Sequence, residues 1–202
     1  MHKDDPKPVI IKMNPDPEEY DEAETAFLRA VGLCITQWAF VDRMLFRLFK
    51  QGVGAPTHRA AIVFYDQHSI NSHFRVVDAL LKGLLAEAEY KDLRELWKDV
   101  REEITGLLPT RNVIAHQPIR RLGTSDGAKA VYVYGIHMEP YQRFLAKPLK
   151  GMKGKDALVT EDLNAHAQAV EELTLHLVSF SKMVIRRFTR QQSRSSSDVK
   201  EA

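Results

Sequence analysis

From Phe27 onward the apolar residues Val31, Cys34, Ile35, Trp38, Val41, Leu45, Leu48 and Phe49 recur at helical spacing. That pattern predicts a long amphipathic helix opening near Asp21 and ended by GVGAP. A second helical pattern starts between Thr57 and Asn71 and is clearest at Ile70, Phe74, Val77, Leu81 and Leu84. A third uses Leu93, Leu96, Trp97, Val100, Ile104 and Leu107, keeps Glu, Lys and Arg on its outer face, and runs into LLPTRNVIAH. Pro109 there lacks a backbone donor and clashes with the preceding turn, so it either kinks this helix or begins a new one. The fourth helix opens with Thr160 as N-cap and Glu161 and Asp162 in its first turn, then buries Leu163, Val170, Leu173, Leu177, Phe180, Val184 and Phe188.

Between the third and fourth patterns the period changes to two. PIRRL and AVYVYGI read as strands joined by the turn-forming GTSDGAK, and YQRFLA adds a third before PLKGMKGKDA. Residues 118–157 are therefore expected to form a small β-hairpin or three-stranded insertion. Pro6, Pro8, Pro15 and Pro17 block helix in residues 1–20, an N-terminal arm, and QQSRSSSDVKEA over 191–202 has the composition of a disordered tail. The expectation is one mainly α domain over 21–190, a four-helix bundle carrying the β-rich insertion.

The chain has 202 residues, 29 Lys plus Arg, 27 Asp plus Glu and a formal charge of +2, which selects neither nucleic acid nor membrane as a partner. The distribution says more. Residues 1–26 hold three Lys against eight acids, whereas residues 118–157 hold eight Lys or Arg against three acids, so positive charge gathers after RNVIAH. The one cysteine, Cys34 in VGLCITQW, can form no intramolecular disulfide and reads as a small buried apolar side chain. With no signal-peptide pattern and no bilayer-length apolar run, a soluble cytoplasmic protein is expected, without a membrane partner.

RNVIAH itself places Arg111 and Asn112 before three mainly apolar residues and His116, at the end of the third of four helical patterns. The first helix, ITQWAFVDRMLFRLF, sets Asp42 about one turn after Trp38. In both respects the chain resembles the HEPN superfamily, whose signature is an Arg, a polar residue, three intervening residues and a His; the helical pattern behind that resemblance covers most of residues 21–190. The β-rich insertion departs from the minimal bundle of that superfamily. The resemblance implies a metal-independent endoribonuclease or RNA-binding protein, of a toxin or defence type restrained by an antitoxin or regulatory protein. It further implies that the site assembles where two protomers meet. Arg111, Asn112 and His116 would be catalytic and Asp42 supporting, with no cofactor. The alternative it carries is a non-catalytic helical interaction or regulatory module.

The residue types suit that chemistry. Metal-free RNA cleavage needs a proton taken from the 2′-hydroxyl, charge stabilised on phosphorus oxygens, and a proton given to the departing 5′-oxygen. A histidine serves as base or acid near neutrality, an arginine presents a fixed donor fork to phosphate, and Asn112 can orient the histidine or hold a phosphate or 2′-hydroxyl. Five residues of α-helix turn the chain by about 140°, so Arg111 and His116 are not expected to share one face, and a homodimer supplying a composite site answers this. Arg120 and Arg121 continue from the motif and are candidates for RNA backbone contact.

Blander readings stand beside these. Arg111 can pair with an acid, Asn112 can end a turn, and His116 can bond a carbonyl near a helix end, while Asp42 can be an ordinary ion-paired residue and Arg75 an outer-face one. Lys129 and Arg143, like Arg120 and Arg121, are by default a solvated surface. His68 and His73, five apart with no Cys or carboxylate pair beside them, make no metal site, and His137, His166 and His176 read as structural or exposed. P-loop, dinucleotide-glycine and serine-elbow patterns are absent from the sequence.

Overall fold

The computed structural model describes residues 22–116, 119–123, 129–134 and 157–198, with side chains described for 24–116, 119 and 158–188. The N-terminal arm, His137, YQRFLA and the last four residues lie outside the described residues. The protein is mainly helical: α1 Glu22–Val53, α2 Thr57–Tyr65, α3 Ile70–Leu84, α4 Lys91–His116 and α5 Thr160–Asp198, with a 3-10 turn at Ala88–Tyr90. Three short strands, β1 Ile119–Gly123, β2 Lys129–Tyr134 and β3 Ala157–Leu158, pair antiparallel in the order β1-β2-β3. The described residues group into two compact units, Met1–Trp38 with Gly106–Val170 and Ala39–Thr105 with Glu171–Ala202.

Five helices replace the four expected, because the second pattern divides. α1 ends where Gly54 takes φ 61°, a left-handed conformation that favours glycine, and its amide donates to the Gln51 carbonyl. α2 then ends near Asp66, and Ser69 restarts the chain as the N-cap of α3, its hydroxyl accepting from the Ser72 amide at 3.1 Å. α4 passes through Pro109 to His116 as one helix, so the proline begins no new one. A single lost backbone donor is tolerated where Leu108, Val113 and Ile114 are all buried around it.

The start of α5 also differs from expectation. Thr160 is the first helical residue, not the cap. Asp162 reaches back to accept from the Val159 amide at 3.1 Å, the reciprocal half of a capping box, while Leu163 donates to the Val159 carbonyl. At its other end α5 continues past Arg190 to Asp198, through a stretch whose composition predicted disorder.

Within the first unit Phe27, Ala30 and Cys34 of α1 pack with Val113 and Ile114 of α4, Leu158 of β3, and Leu163 and Ala167 of α5. Val31 and Ile119 lean on this cluster. Within the second unit the interior is aromatic: Trp97 stacks on Phe180 and tilts against Phe74, and Phe64 lies against Phe46 and Phe49. A Cβ on Gly52 would come within 2.7 Å of Leu80 Cδ2, so glycine lets α1 and α3 approach closely there. Among the described residues no helix is long and apolar enough to cross a membrane.

Candidate functional site: the end of α4

Burial of Val113 and Ile114 orients the rest of the motif. Both side chains point into the core of the first unit, which leaves Arg111 half-buried and Asn112, Ala115 and His116 exposed on the opposite arc of α4. That arc runs Arg111, Ala115, Asn112, His116 over about 140° of helix. The Arg111 guanidinium spans it: Nη1 donates to Asn112 Oδ1 at 3.1 Å and stands 3.5 Å from His116 Nε2.

This corrects the expectation that one chain keeps Arg111 and His116 apart. The Cα–Cβ directions of the two residues do diverge, but an arginine side chain is long enough to cross between them, and the methyl of Ala115 leaves the path open. The geometric reason for a shared site therefore falls away.

The arrangement has definite chemical consequences. Arginine is only a donor, so His116 Nε2 turns its lone pair toward the guanidinium, and that lone pair is released for a substrate proton when the arginine swings to a phosphate. Asn112, by accepting from Nη1, fixes where the guanidinium stands relative to the imidazole. The motif occupies a helix C-terminus, whose carbonyls repel anions, so any attraction for a phosphate must come from the arginine itself.

The other predicted site residues have surroundings of their own. Asp42 belongs to the second unit, where its Oδ1 is 2.6 Å from His73 Nδ1, and His73 Nε2 faces the Gln67 carbonyl oxygen at 2.8 Å. Asp42 is thus spoken for by a buried histidine. After burial, its charge is also the next cause holding the Tyr65 phenol above its usual range, with Arg43 opposing. Arg120 and Arg121 are consecutive in β1, opposite Tyr132 and Val131 of β2; their side chains lie outside the described residues. Arg75 and His68 are exposed, and His176 pairs with Glu103 at 2.9 Å on the surface of the second unit.

Two polar contacts in the first unit escaped the sequence reading. Trp38 Nε1 donates to His166 Nε2 at 3.0 Å, and burial pushes the His166 imidazolium down to about 4, so this ring is neutral. Cys34 Sγ donates to the Leu163 carbonyl at 3.1 Å, and burial raises its thiol to about 11, which makes it unreactive. A cleft of about 770 Å³ opens beside Thr25, Arg29 and Leu33 of α1 and Thr160 and Asn164 of α5. Among the described residues no group of three or more His, Cys, Asp or Glu side chains is placed to hold a metal ion. No protein-family model, curated protein or solved structure matches the chain.

Proposed function

We propose that the chain is a metal-independent endoribonuclease or RNA-binding protein of the HEPN type, working through Arg111, Asn112 and His116. The observation that carries this reading is the position of the Arg111 guanidinium, 3.5 Å from His116 Nε2 and anchored by Asn112, on an exposed helix end. In this reading Arg111 turns from His116 to the phosphorus oxygens as charge builds, which frees His116 Nε2 to take the 2′-hydroxyl proton, while Asn112 keeps the guanidinium at the helix end. Asp42 drops out of the chemistry. The backbone is read as a four-helix bundle in which α2 and α3 together make the second leg and β1–β3 form an insertion before α5. A second chain is not needed to join arginine to histidine; its contribution would be a second His116 acting as general acid.

The test is incubation of the purified protein with mixed cellular RNA in EDTA. Cleavage is expected to leave cyclic phosphate ends, to spare DNA and 2′-deoxy sites, and to fall by at least about a hundredfold in His116→Ala and in Arg111→Ala. Equal mixtures of those two variants regain activity only if two chains share one site. A folded wild-type protein that cleaves no RNA between pH 6 and 8 would point to the alternative, a non-catalytic helical interaction module. Cleavage that needs metal and survives both substitutions would refute the site.

A further inference from the structure

Helix α2 buries only Ala60 and Phe64, leaving Ile62 at 71% and Val63 at 59% of full exposure. At about 100° per residue, Arg59, Ile62, Val63 and Asp66 fall within a strip about 100° wide on the face turned away from the interior. Asp66 belongs to that strip because its backbone, at φ −66° and ψ −21°, continues the helical turn. Arg59 and Asp66 are both exposed, and among the described residues neither has an ion-pair or hydrogen-bond partner for its side chain.

The order along this strip is basic, apolar, apolar, acidic. Arg59 and Asp66 are equally far from the midpoint between Ile62 and Val63. A twofold axis through that midpoint therefore sets Arg59 of one copy opposite Asp66 of another and Ile62 opposite Val63, at both ends at once. A parallel arrangement would oppose like charges. Scattered exposed apolar residues need no partner, but two adjacent β-branched side chains flanked by unpaired opposite charges make a face that complements itself.

We propose that the outer face of α2 docks antiparallel on the same face of a second copy of this chain. The pairing is independent of the nuclease reading. A face of one short helix is well below the area of an obligate interface, so the dimer is reversible and forms at roughly micromolar concentration or above.

The test is sedimentation equilibrium of the full chain from low to high micromolar concentration in moderate salt, with circular dichroism confirming that each variant is folded. The wild type is expected to dimerise. Arg59→Asp and Asp66→Arg are each expected to raise the dimer Kd at least about tenfold, since each creates two like-charge oppositions. Mixing the two single variants is expected to restore association, because each then supplies the charge the other lacks, and the double variant Arg59→Asp/Asp66→Arg is expected to dimerise like the wild type. Ile62→Glu is expected to abolish the pairing. A wild type that stays monomeric throughout, as it would if this face served a different partner, overturns the proposal. So does a dimer indifferent to these substitutions.

Discussion

Among the described residues each unit buries one histidine against an aromatic ring, and the two are held by different partners. In the first, His166 stacks beside Trp38 and accepts the indole N–H at Nε2, so the ring must be unprotonated at that nitrogen. In the second, His73 stacks on Phe64 with centroids 4.2 Å apart, and both its nitrogens face oxygen, Asp42 Oδ1 on one side and the Gln67 carbonyl on the other. A carbonyl only accepts, so Nε2 donates to Gln67, and Nδ1 shares a hydrogen bond with Asp42 Oδ1. The two rings are equally buried, 6% and 7% exposed, and differ in what they meet: an indole N–H for His166, an oxygen at each nitrogen for His73. His116, exposed and facing an arginine, is a third case, in which the ring meets a charged donor at the surface rather than a partner in the core.

Acid is expected to produce the largest effect, at His166. The folded His166 titrates at about 4 and the unfolded one near its ordinary value of 6.5, so between these the unfolded chain binds more protons. Stability contributed by this ring is whole above pH 6.5 and is lost as pH falls toward 4, by about 3 kcal/mol in all and about 2 kcal/mol by pH 5. Urea unfolding at pH 7 and pH 5 measures it. His166→Phe should flatten that part of the slope while costing some stability at pH 7 through the orphaned Trp38 N–H; an unchanged slope would mean that the imidazole is not the proton acceptor.

The contact at His73 fails differently, through loss of its partner. Asp42→Ala leaves a buried nitrogen without its partner and is expected to cost about 2 kcal/mol, less than breaking a fully buried ion pair, because the carboxylate is 25% exposed. In a double-mutant cycle with His73→Phe, the two losses should sum to more than the double variant shows. Additive losses would mean that the 2.6 Å contact carries no coupling. RNA cleavage, where present, should survive Asp42→Ala in any chain that remains folded.

These contacts mark where sequence reading stops. Apolar spacing revealed α1, α4 and α5 and the second helical pattern because each buries a continuous stripe, and Cys34 was legible as a core residue from its neighbours. The break between α2 and α3 was not, since it depends on the backbone at Asp66 and a Ser69 hydroxyl rather than on hydrophobic period. Asp42 was singled out without its partner, because His73 is 31 residues away and no local pattern links them. The motif was legible as residue types, but a helical wheel fixes Cα–Cβ directions and says nothing of how far an arginine reaches, so the proximity of Arg111 to His116 was missed. The Trp38–His166 pair could have been suspected from a tryptophan, which needs an acceptor when buried, on a buried stripe.

The smallest expected effect probes a buried polar group that has no partner among the described residues. Ser181 is 1% exposed on α5 in the second unit, and its hydroxyl makes no hydrogen bond among the described residues, unlike either buried histidine. Folding strips water from that oxygen and returns nothing for it, whereas alanine fits the same helical position with no polar atom and a better helix propensity. Ser181→Ala is therefore expected to stabilise the protein by about 1 kcal/mol, read as a higher urea midpoint at unchanged m-value. The gain should be the same at pH 7 and pH 5, because no proton is involved, which separates it cleanly from the His166 effect. A loss of stability would show that the hydroxyl is satisfied after all, for instance by a bound water or by the carbonyl one turn back.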